Sequence, residues 1–397
     1  MSRPAPAQAI GVGVSAALVA GASLGNLGAN LMPVLLPGMT DRFGLSNTAA
    51  GWVASVQLIM TALATLAFTS RAARPGRARI ARFGLVVAIA GMGLVFAAPD
   101  FTVLMAGNAL TGAGLGISYA AAMAAIASTD DTDRASAVAV VGATIVLAVF
   151  VIVLPEVNDA WGGTTGFAVL ALCCMPVLWL VRALPDAVEH KEDPAPERGD
   201  LAPTTAAVPV LFLMGLALLG ATDQGAWSYS EILGEEYGGM SADSVSTVLS
   251  VSSVVCLAGV ALSASAVRRF GRLTVVTACI AAEGLCKLVI AALPWGGYYV
   301  TAAIVWQICY MGLLVQTLAV AAAADRSGRW VAACGGAVAI GSGLGPAPSG
   351  WALDSFGAPA FGVLLALTTA VAAIPIARTI HSMEKRGITS PEPAVQS

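Results

Sequence analysis

Residues 69–79 read TSRAARPGRAR, and this short basic turn decides the fold because of what lies on either side of it. The flanking segments 48–70 and 80–98 are almost wholly apolar, and each is close to the length of a membrane-spanning helix, about 20 residues. A similar turn, ASAVRRFGRL, occupies residues 264–273, which lie 195 residues further along the chain, again between apolar segments. The turn therefore predicts a pair of spanning helices, and its recurrence predicts that this pair occurs twice.

The composition of the whole chain indicates a membrane protein. Of its 397 residues, 57% are hydrophobic and only 11% are charged, whereas soluble domains are about 25% charged. One water-facing globule cannot bury that much apolar surface, so we expect a polytopic membrane protein. The seven cysteines all lie in apolar segments and show neither a disulfide framework nor a metal-binding spacing, so we expect no cofactor and no metal.

Apolar segments of spanning length recur along the chain, separated by polar turns or by turns that contain Gly and Pro. We therefore predict an all-α polytopic membrane protein with twelve transmembrane helices. The predicted spans are residues 9–37, 48–70, 80–98, 101–127, 135–155, 164–184, 207–231, 243–267, 273–293, 297–323, 330–351 and 358–378.

Matches at one constant offset of 195 residues relate the two halves of the chain, and all of them fall at predicted helix ends. Since six crossings return the chain to its starting side, the matches predict two six-helix pseudo-repeats of the same orientation. The matched pairs are Gly76 and Gly271 with their flanking arginines, Pro99 and Pro294, Arg134 and Arg329, the turns at Asp159 and Asp354, and the turns at Gly44 and Gly239.

One long charged segment divides these two halves. Residues 186–206 are rich in Pro, Glu and other polar residues, a composition typical of a linker. We therefore predict an N-terminal six-helix bundle at 1–185, a cytoplasmic linker at 186–206, a C-terminal six-helix bundle at 207–380 and a cytoplasmic tail at 381–397.

Lysine and arginine residues set the expected orientation. With the N-terminus inside, 18 of the 20 fall in inside segments, Arg42 falls outside and Lys287 lies within the membrane. Because positive charges concentrate in cytoplasmic loops, we predict a multi-pass protein of the cell (inner) membrane with both termini cytoplasmic.

The chain resembles the major facilitator superfamily over essentially its whole length, through the 6+6 repeat, the central linker and the two basic turns. The family's cytoplasmic motif is Gly-x-x-x-Asp-Arg-x-Gly-Arg-Arg, and in the first copy Thr69 and Ala73 replace its leading Gly and its Asp. The resemblance implies that these turns latch the gate on the cytoplasmic side. The residues that keep the motif are Arg74, Gly76, Arg77, Arg269, Gly271 and Arg272.

The resemblance also bears on the direction of transport. In LMAGNALTGAG (104–114), Asn108 stands at the position of an arginine that proton-driven efflux members of the family carry. Predicted helix 5 also lacks the family's Gly-Pro-x-x-Gly-Gly antiporter motif. These departures favour uptake or facilitated exchange, while the size of the chain favours efflux.

Asp223 is the first candidate for proton coupling. The resemblance implies that helices 1, 4, 7 and 10 line the central path, and Asp223 shares one face of predicted helix 7 with Trp227 and Glu231. A charge near the middle of the bilayer costs about 2.5–3.5 kcal/mol even on the lenient insertion scale. Asp223 is expected in the outer half of the span, about sixteen residues into the helix, and a charge inside a span favours a function. Glu231 is expected to mark the solvated outer end of the helix.

Uncharged polar and aromatic residues in the predicted spans are the candidates for a substrate pathway. Amide side chains in membrane helices also join neighbouring helices by hydrogen bonds, and rings also serve as packing residues, so both interpretations stay open. The pathway candidates are Asn26, Asn30, Gln57, Asn108, Tyr119, Gln224, Trp227, Trp306, Gln307 and Tyr310.

Predicted helix 9 carries two charges in the sequence AAEGLCKL (281–288). Glu283 and Lys287 stand four residues apart, in the order that favours an ion pair within a helix. In the family's fold this helix is peripheral, which favours a structural pair, and Lys287 can extend toward the outer surface. The alternative is a role in proton coupling or gating, with Glu283 as a second proton-coupling residue beside Asp223.

The sequence therefore predicts a secondary active transporter that moves a small organic solute, neutral or cationic and amphipathic, by proton-coupled alternating access. Efflux stays open beside two alternatives, proton-symport uptake and facilitated exchange. A membrane-embedded enzyme and a non-transporting receptor are remote alternatives, and because the predicted spans contain no histidine we expect no enzyme. The expected partners are the solute, protons and the lipid bilayer, with no nucleic acid, and we expect a monomer.

Overall fold

The computed structural model of the chain describes residues 11–129, 131–186, 207–324 and 329–386. These residues form fourteen α-helices and no strand, which confirms the predicted all-α class. The helices are α1 (Val12–Phe43), α2 (Asn47–Ala72), α3 (Arg77–Phe96), α4 (Phe101–Ile126), α5 (Thr132–Trp161), α6 (Thr165–Leu180), α7 (Ala207–Ser228), α8 (Ser230–Ile232), α9 (Ala242–Val255), α10 (Ala258–Phe270), α11 (Arg272–Ala292), α12 (Gly296–Ala324), α13 (Arg329–Leu344) and α14 (Pro346–Lys385).

The number of possible membrane spans agrees with a polytopic protein. In the described part of the chain, ten helical stretches are long and apolar enough to cross a membrane, and the pair α9–α10, bent by 47°, makes eleven. One of the ten joins α13 and α14 over the 57 residues Arg329–Lys385, about 85 Å at about 1.5 Å per residue, against a hydrocarbon core of about 30 Å. Gly357 interrupts this stretch with φ 75° and ψ 170°. Counting it as two spans gives the predicted twelve.

The first helix runs past its predicted end. The sequence placed that end at residue 37, a proline, but α1 continues through Pro33 and Pro37 to Phe43. Prolines are tolerated inside membrane helices because neighbouring groups satisfy the freed backbone atoms. Gly44 ends the helix instead, with φ 60° in the left-handed region that glycine adopts without strain.

The seventh predicted span is irregular at its end. The helix α7 stops at Ser228, short of the predicted residue 231, and a π-helical turn follows at Leu233–Tyr237. From α12 the hydroxyl of Tyr299 donates a hydrogen bond of 2.8 Å to the carbonyl oxygen of Ser230 at this break. Glu231 was expected to be solvated, and this was wrong, because the packed break leaves only 4% of its surface exposed.

The chain clusters into two compact units. The first contains Met1–Leu45 and Trp52–Asp200, and the second contains Ser46–Gly51 and Leu201–Ser397. The boundaries drawn from the sequence, bundles at 1–185 and 207–380, stay a prediction. The predicted linker 186–206, apart from its first residue, lies outside the described residues, as does the predicted tail beyond residue 386.

An apolar core in the second unit underlies its charged residues. Phe212, Leu216 and Leu219 of α7 pack with Val276 and Ile280 of α11, and α12, α13 and α14 add further members. One helical turn past Leu219 is Asp223, and three residues past Ile280 is Glu283. The core therefore carries both carboxylates at one of its ends, on neighbouring faces of α7 and α11.

Candidate functional site

Three charged side chains meet inside the second unit. Lys287 of α11 forms an ion pair with Asp223 of α7, and its Nζ lies 3.6 Å from Oε2 of Glu283. The exposed fractions are 6% for Asp223, 1% for Lys287 and 0% for Glu283. Burying a charge costs several kcal/mol unless a partner compensates it, and here one ammonium serves two carboxylates. We call Asp223, Glu283 and Lys287 the charged cluster.

The sequence predicted the parts of this cluster and missed their meeting. The Glu283–Lys287 pair has the predicted spacing within α11, and the sequence left open whether it is a structural pair or acts together with Asp223. The structure brings both together, because Lys287 reaches across to α7. Its predicted extension toward the outer surface was wrong, since the ammonium is fully buried among these partners.

The ammonium of Lys287 has its three donors occupied. Besides Asp223, it lies 3.3 Å from Oγ1 of Thr222 and 3.5 Å from Oγ1 of Thr369 on α14. The two hydroxyls are themselves joined by a hydrogen bond of 3.2 Å. Since an ammonium has three N–H groups, these three partners use all of them. Glu283 therefore interacts with Lys287 through charge, and not through a well-formed hydrogen bond.

Asp223 has a second donor on α12. The indole Nε1 of Trp306 donates a hydrogen bond of 3.2 Å to Oδ1 of Asp223. The ring of Trp306 packs edge-on against that of Trp227, with centroids 6.1 Å apart, and lies 5.7 Å from Nζ of Lys287. An aromatic face near an ammonium adds a cation–π attraction. The carboxylate of Asp223 thus interacts with both an ammonium and an indole N–H.

Glu283 has fewer hydrogen-bond donors around it than Asp223. Neither of its oxygens has a hydrogen-bond partner of normal geometry in the described residues, although its carboxyl group lies close enough to that of Asp223 for the two to interact. Its charged neighbours are Asp223 and Lys287. One ammonium balances one carboxylate, so a second ionised carboxylate leaves a net negative charge in a fully buried place. The charged cluster is therefore neutral when it holds one proton.

A small cavity borders the charged cluster. Its volume is about 20 Å³, room for about one water molecule. Asp223, Tyr310 and Thr317 provide its polar lining, and the remaining lining residues are Leu216, Leu219, Gly220, Leu313, Leu314 and Val338. Of the predicted pathway residues, Tyr310 therefore lies at the same cavity as Asp223.

The predicted pathway residues of the first unit are uncharged. In two of them, a buried side-chain atom has no hydrogen-bond partner among the described residues. Gln57 of α2 is fully buried with its amide nitrogen against Gly28 of α1, and neither amide atom has a hydrogen-bond partner among the described residues. Asn108 of α4 is also fully buried; it donates to the carbonyl of Leu104 at 3.0 Å, while its Oδ1 has no partner in the described chain.

The other candidates are used locally or lie at the edge of the site. Asn26 and Asn30 each donate at 3.0 Å to the carbonyl one turn earlier in α1. The ring of Tyr119 packs against Gly25 of α1. Gln224 lies 3.4 Å from Oγ of Ser228, and Gln307 of α12 is half-buried.

At each of the two basic turns, a carboxylate from a distant part of the chain accepts hydrogen bonds from backbone N–H groups, and the sequence did not predict either contact. At the first turn, the N–H groups of Gly76 and Arg77 donate to Asp186, at 2.8 and 3.2 Å. At the second turn, the N–H of Leu273 donates to Glu384 at 3.2 Å. Each carboxylate follows the last spanning segment of its own unit, and each meets the start of a helix, where anions are favoured.

The residues that keep the family's motif differ in their surroundings. Arg77 is buried, and its guanidinium donates to the carbonyls of Ala72 and Pro185 and to the hydroxyl of Ser128. Arg272 donates to Oε1 of Gln316 at 3.3 Å. The remaining members are the exposed Arg74 and Arg269 and the glycines Gly76 (φ 105°) and Gly271 (φ 79°).

Comparison with known proteins identifies the family. The family model of the Major Facilitator Superfamily matches residues 16–238, more than half of the chain. No curated protein matches the sequence. In the described residues, no group of three or more His, Cys, Asp or Glu side chains is placed to hold a metal ion.

Solved structures share the fold at low sequence identity. A mutant of the nucleoside transporter NupG matches with a TM-score of 0.70 and 14% identity, over 93% of this chain and 99% of that one. A bacterial homologue of the human lysosomal transporter Spinster, inward-facing and unoccupied, matches with 0.69 and 14%, over 94% and 97%. The human organic anion transporter MFSD10 matches with 0.65 and 12%, over 93% and 100%. At these identities the likeness shows the fold alone.

Proposed function

The chain belongs to the major facilitator superfamily, and from that premise we propose that this secondary transporter couples movement of a small organic solute to protons at the charged cluster. The observation that carries the proposal is one buried ammonium between two buried carboxylates. The chain's family is one of transporters and not of enzymes, and its long apolar helices support a location in the cell membrane.

Alternating access explains why a proton site inside the protein can drive transport. In this fold one bundle moves against the other around a site near the middle of the membrane, so a buried group meets each side in turn. The bundles are the predicted ones at 1–185 and 207–380. A cytoplasmic location of both termini, a position in the inner membrane and a monomeric state are parts of the same proposal.

We propose that Glu283, and not Asp223, carries the exchanged proton, which reverses the order expected from the sequence. Asp223 accepts from two donors, the ammonium of Lys287 and the indole of Trp306. Glu283 has the same ammonium only at 3.6 Å and no hydrogen bond of normal geometry in the described residues. Charge balance in the buried cluster is therefore reached by a proton on Glu283.

The solute is proposed to be neutral or cationic and amphipathic. Lys287 is the cation of the charged cluster, and Asp223 already neutralises it. A polyanion would need paired arginines, and the cluster contains none. Efflux stays part of the proposal. Proton-symport uptake or facilitated exchange is the alternative, which Asn108 favours, because this buried amide stands where efflux members have an arginine.

Flux into liposomes tests the proposal. Purified full-length protein is first screened for solutes that raise its melting temperature, and the hits are then followed in liposomes with an imposed proton gradient. We expect the wild type to accumulate solute under the gradient. The Glu283→Gln variant should keep solute exchange at equal pH, which needs no net proton movement, and lose gradient-driven accumulation.

The matched control is Glu236→Gln, which removes an exposed carboxylate of the same unit outside the charged cluster. It should accumulate solute like the wild type. Accumulation that survives in Glu283→Gln at the wild-type level sinks the assignment of the proton to the charged cluster.

A further inference from the structure

Lys287 has two carboxylates within reach. It is paired with Asp223, and Oε2 of Glu283 lies 3.6 Å from its Nζ, less than about 1 Å beyond a charged hydrogen bond of about 2.8 Å. A lysine side chain is a flexible four-carbon stem with a compact charge at its end. The ammonium can therefore change from Asp223 to Glu283 by a small movement, and it stays paired throughout.

Asp223 has a second face that Lys287 does not cover. This face borders the cavity, together with the phenol of Tyr310 and the hydroxyl of Thr317. The rest of the cavity lining is aliphatic, from Leu216, Leu219 and Leu313 among others. A carboxylate among aromatic and aliphatic groups suits a cation with an apolar body, such as a protonated amine. At about 20 Å³ the cavity is closed to such a solute in this arrangement, where Lys287 holds the carboxylate.

We infer that Lys287 is a tethered cation that holds Asp223 until an organic monocation takes its place, an inference that rests on the proposed proton coupling at the charged cluster. The ammonium then moves to Glu283 and displaces the proton from it. Lys287 thereby links the solute at Asp223 to the proton at Glu283, although the two carboxyl groups lie on different helices.

The charges balance in both states. Before binding, Asp223 is ionised, Lys287 is charged and Glu283 is protonated, so the cluster is neutral. After binding, the solute cation pairs with Asp223 and Lys287 pairs with ionised Glu283, so solute and cluster together are neutral again. The O–H bond of Glu283 breaks, its electron pair stays on the carboxylate and the proton passes to water. One monocation is exchanged for one proton, and no net charge is buried in either the initial or the final state.

Other titratable groups near Glu283 do not disturb this balance. Apart from Asp223 and Lys287, they are thiols and a phenol, whose ordinary pKa values lie above neutral. From α14 the nearest polar neighbour of the cluster is the hydroxyl of Thr369, which does not titrate. The titratable groups around Glu283 are Asp223 from α7, Cys279, Cys286 and Lys287 from α11, and Cys309 and Tyr310 from α12.

Proton release on binding is the signature of the exchange. The purified full-length protein is titrated calorimetrically with permanent organic monocations of increasing size, from tetraethylammonium to tetraphenylphosphonium. Two buffers of different ionisation enthalpy give the number of protons released. We expect about one proton per bound cation and an affinity that rises about tenfold for each pH unit between pH 6 and 8. Triphenylphosphine oxide, a neutral analogue, should release none.

Glu283→Gln is the decisive variant, because its cluster has no proton to release. Its cation binding should be weaker than that of the wild type at pH 8, since Lys287 has no second carboxylate, and it should be independent of pH. Glu283→Asp should restore proton release. Glu236→Gln, with the charged cluster intact, should behave like the wild type, and melting temperatures report whether each variant is folded.

The result separates this exchange from the proton coupling on which it rests. If Glu283→Gln still accumulates solute under a proton gradient, the proposed coupling fails, and the exchange fails with it. If coupling holds but the wild type binds none of the cations, or binds them without releasing protons, only the exchange by Lys287 is overturned. Proton release that persists in Glu283→Gln also overturns it.

Discussion

The two units solve the problem of polar side chains inside a membrane protein in opposite ways. The first unit buries uncharged amides, Gln57 and Asn108, that have unpaired atoms in the described chain. The second buries three charges that compensate one another. At the repeat offset of 195 residues, the counterparts of Asp223, Glu283 and Lys287 are Gly28, Ala88 and Met92.

This difference is an internal control for the meaning of the charges. The first unit packs its helices closely with uncharged residues at the counterpart positions, and Ala88 and Met92 are fully buried there. Helix packing in this fold therefore does not require an ion pair at these places. A structural role explains the charged cluster less well than a functional one, because the same architecture is built without it.

The largest effect is expected when one charge of the cluster is removed alone. Lys287→Met leaves two buried carboxylates without a cation, and breaking a buried ion pair on one side costs about 3–5 kcal/mol. The variant Asp223→Asn, Glu283→Gln, Lys287→Met, which is uncharged like the first unit, should lie within about 1–2 kcal/mol of the wild type and lose gradient-driven transport. Thermal unfolding in detergent and liposome flux measure the two properties.

If the uncharged triple variant is as unstable as Lys287→Met, the second unit needs its charges to fold, and the comparison with the first unit fails. The control Glu236→Gln should change neither property, since this carboxylate is exposed.

A smaller effect is expected at the basic turns, where the two units are alike. Asp186 accepts from two backbone N–H groups at the start of α3, and Glu384 accepts from one at the start of α11. Asp186→Ala should therefore cost about 1 kcal/mol and Glu384→Ala about half as much, as for lost helix caps. Thermal unfolding measures both losses of stability. Equal losses from the two variants, or a loss from Asp159→Ala at an exposed control position, would contradict the expectation that the first turn depends more on its carboxylate.

The sequence predicted what repeats along the chain and missed what joins distant parts of it. Span length and the spacing of the basic turns are local patterns, so the all-α class followed from them. Lys287 and Asp223 lie 64 residues apart in the sequence and on different helices. The periodicity within one helix therefore cannot predict their pairing. The same holds for Asp186, which meets the turn at Gly76 from 110 residues away. Only the pair within α11, at four residues, was visible in the sequence.

The smallest effect is expected at Gln57, because both polar atoms of its buried amide lack hydrogen-bond partners among the described residues. Its amide has no partner among the described residues, and an unpaired buried polar group costs about 1–3 kcal/mol. Gln57→Leu, which is close in volume, should therefore leave stability unchanged or raise it by about 1 kcal/mol, and lower solute flux if the amide lines the pathway. Its counterpart Ser252 donates to the carbonyl of Leu249 at 2.9 Å, so Ser252→Ala should gain nothing in stability. Melting temperature and liposome flux measure the two properties. A clear loss of stability with unchanged flux would show that Gln57 joins helices. The contrast between unpaired amides in the first unit and compensated charges in the second would then disappear.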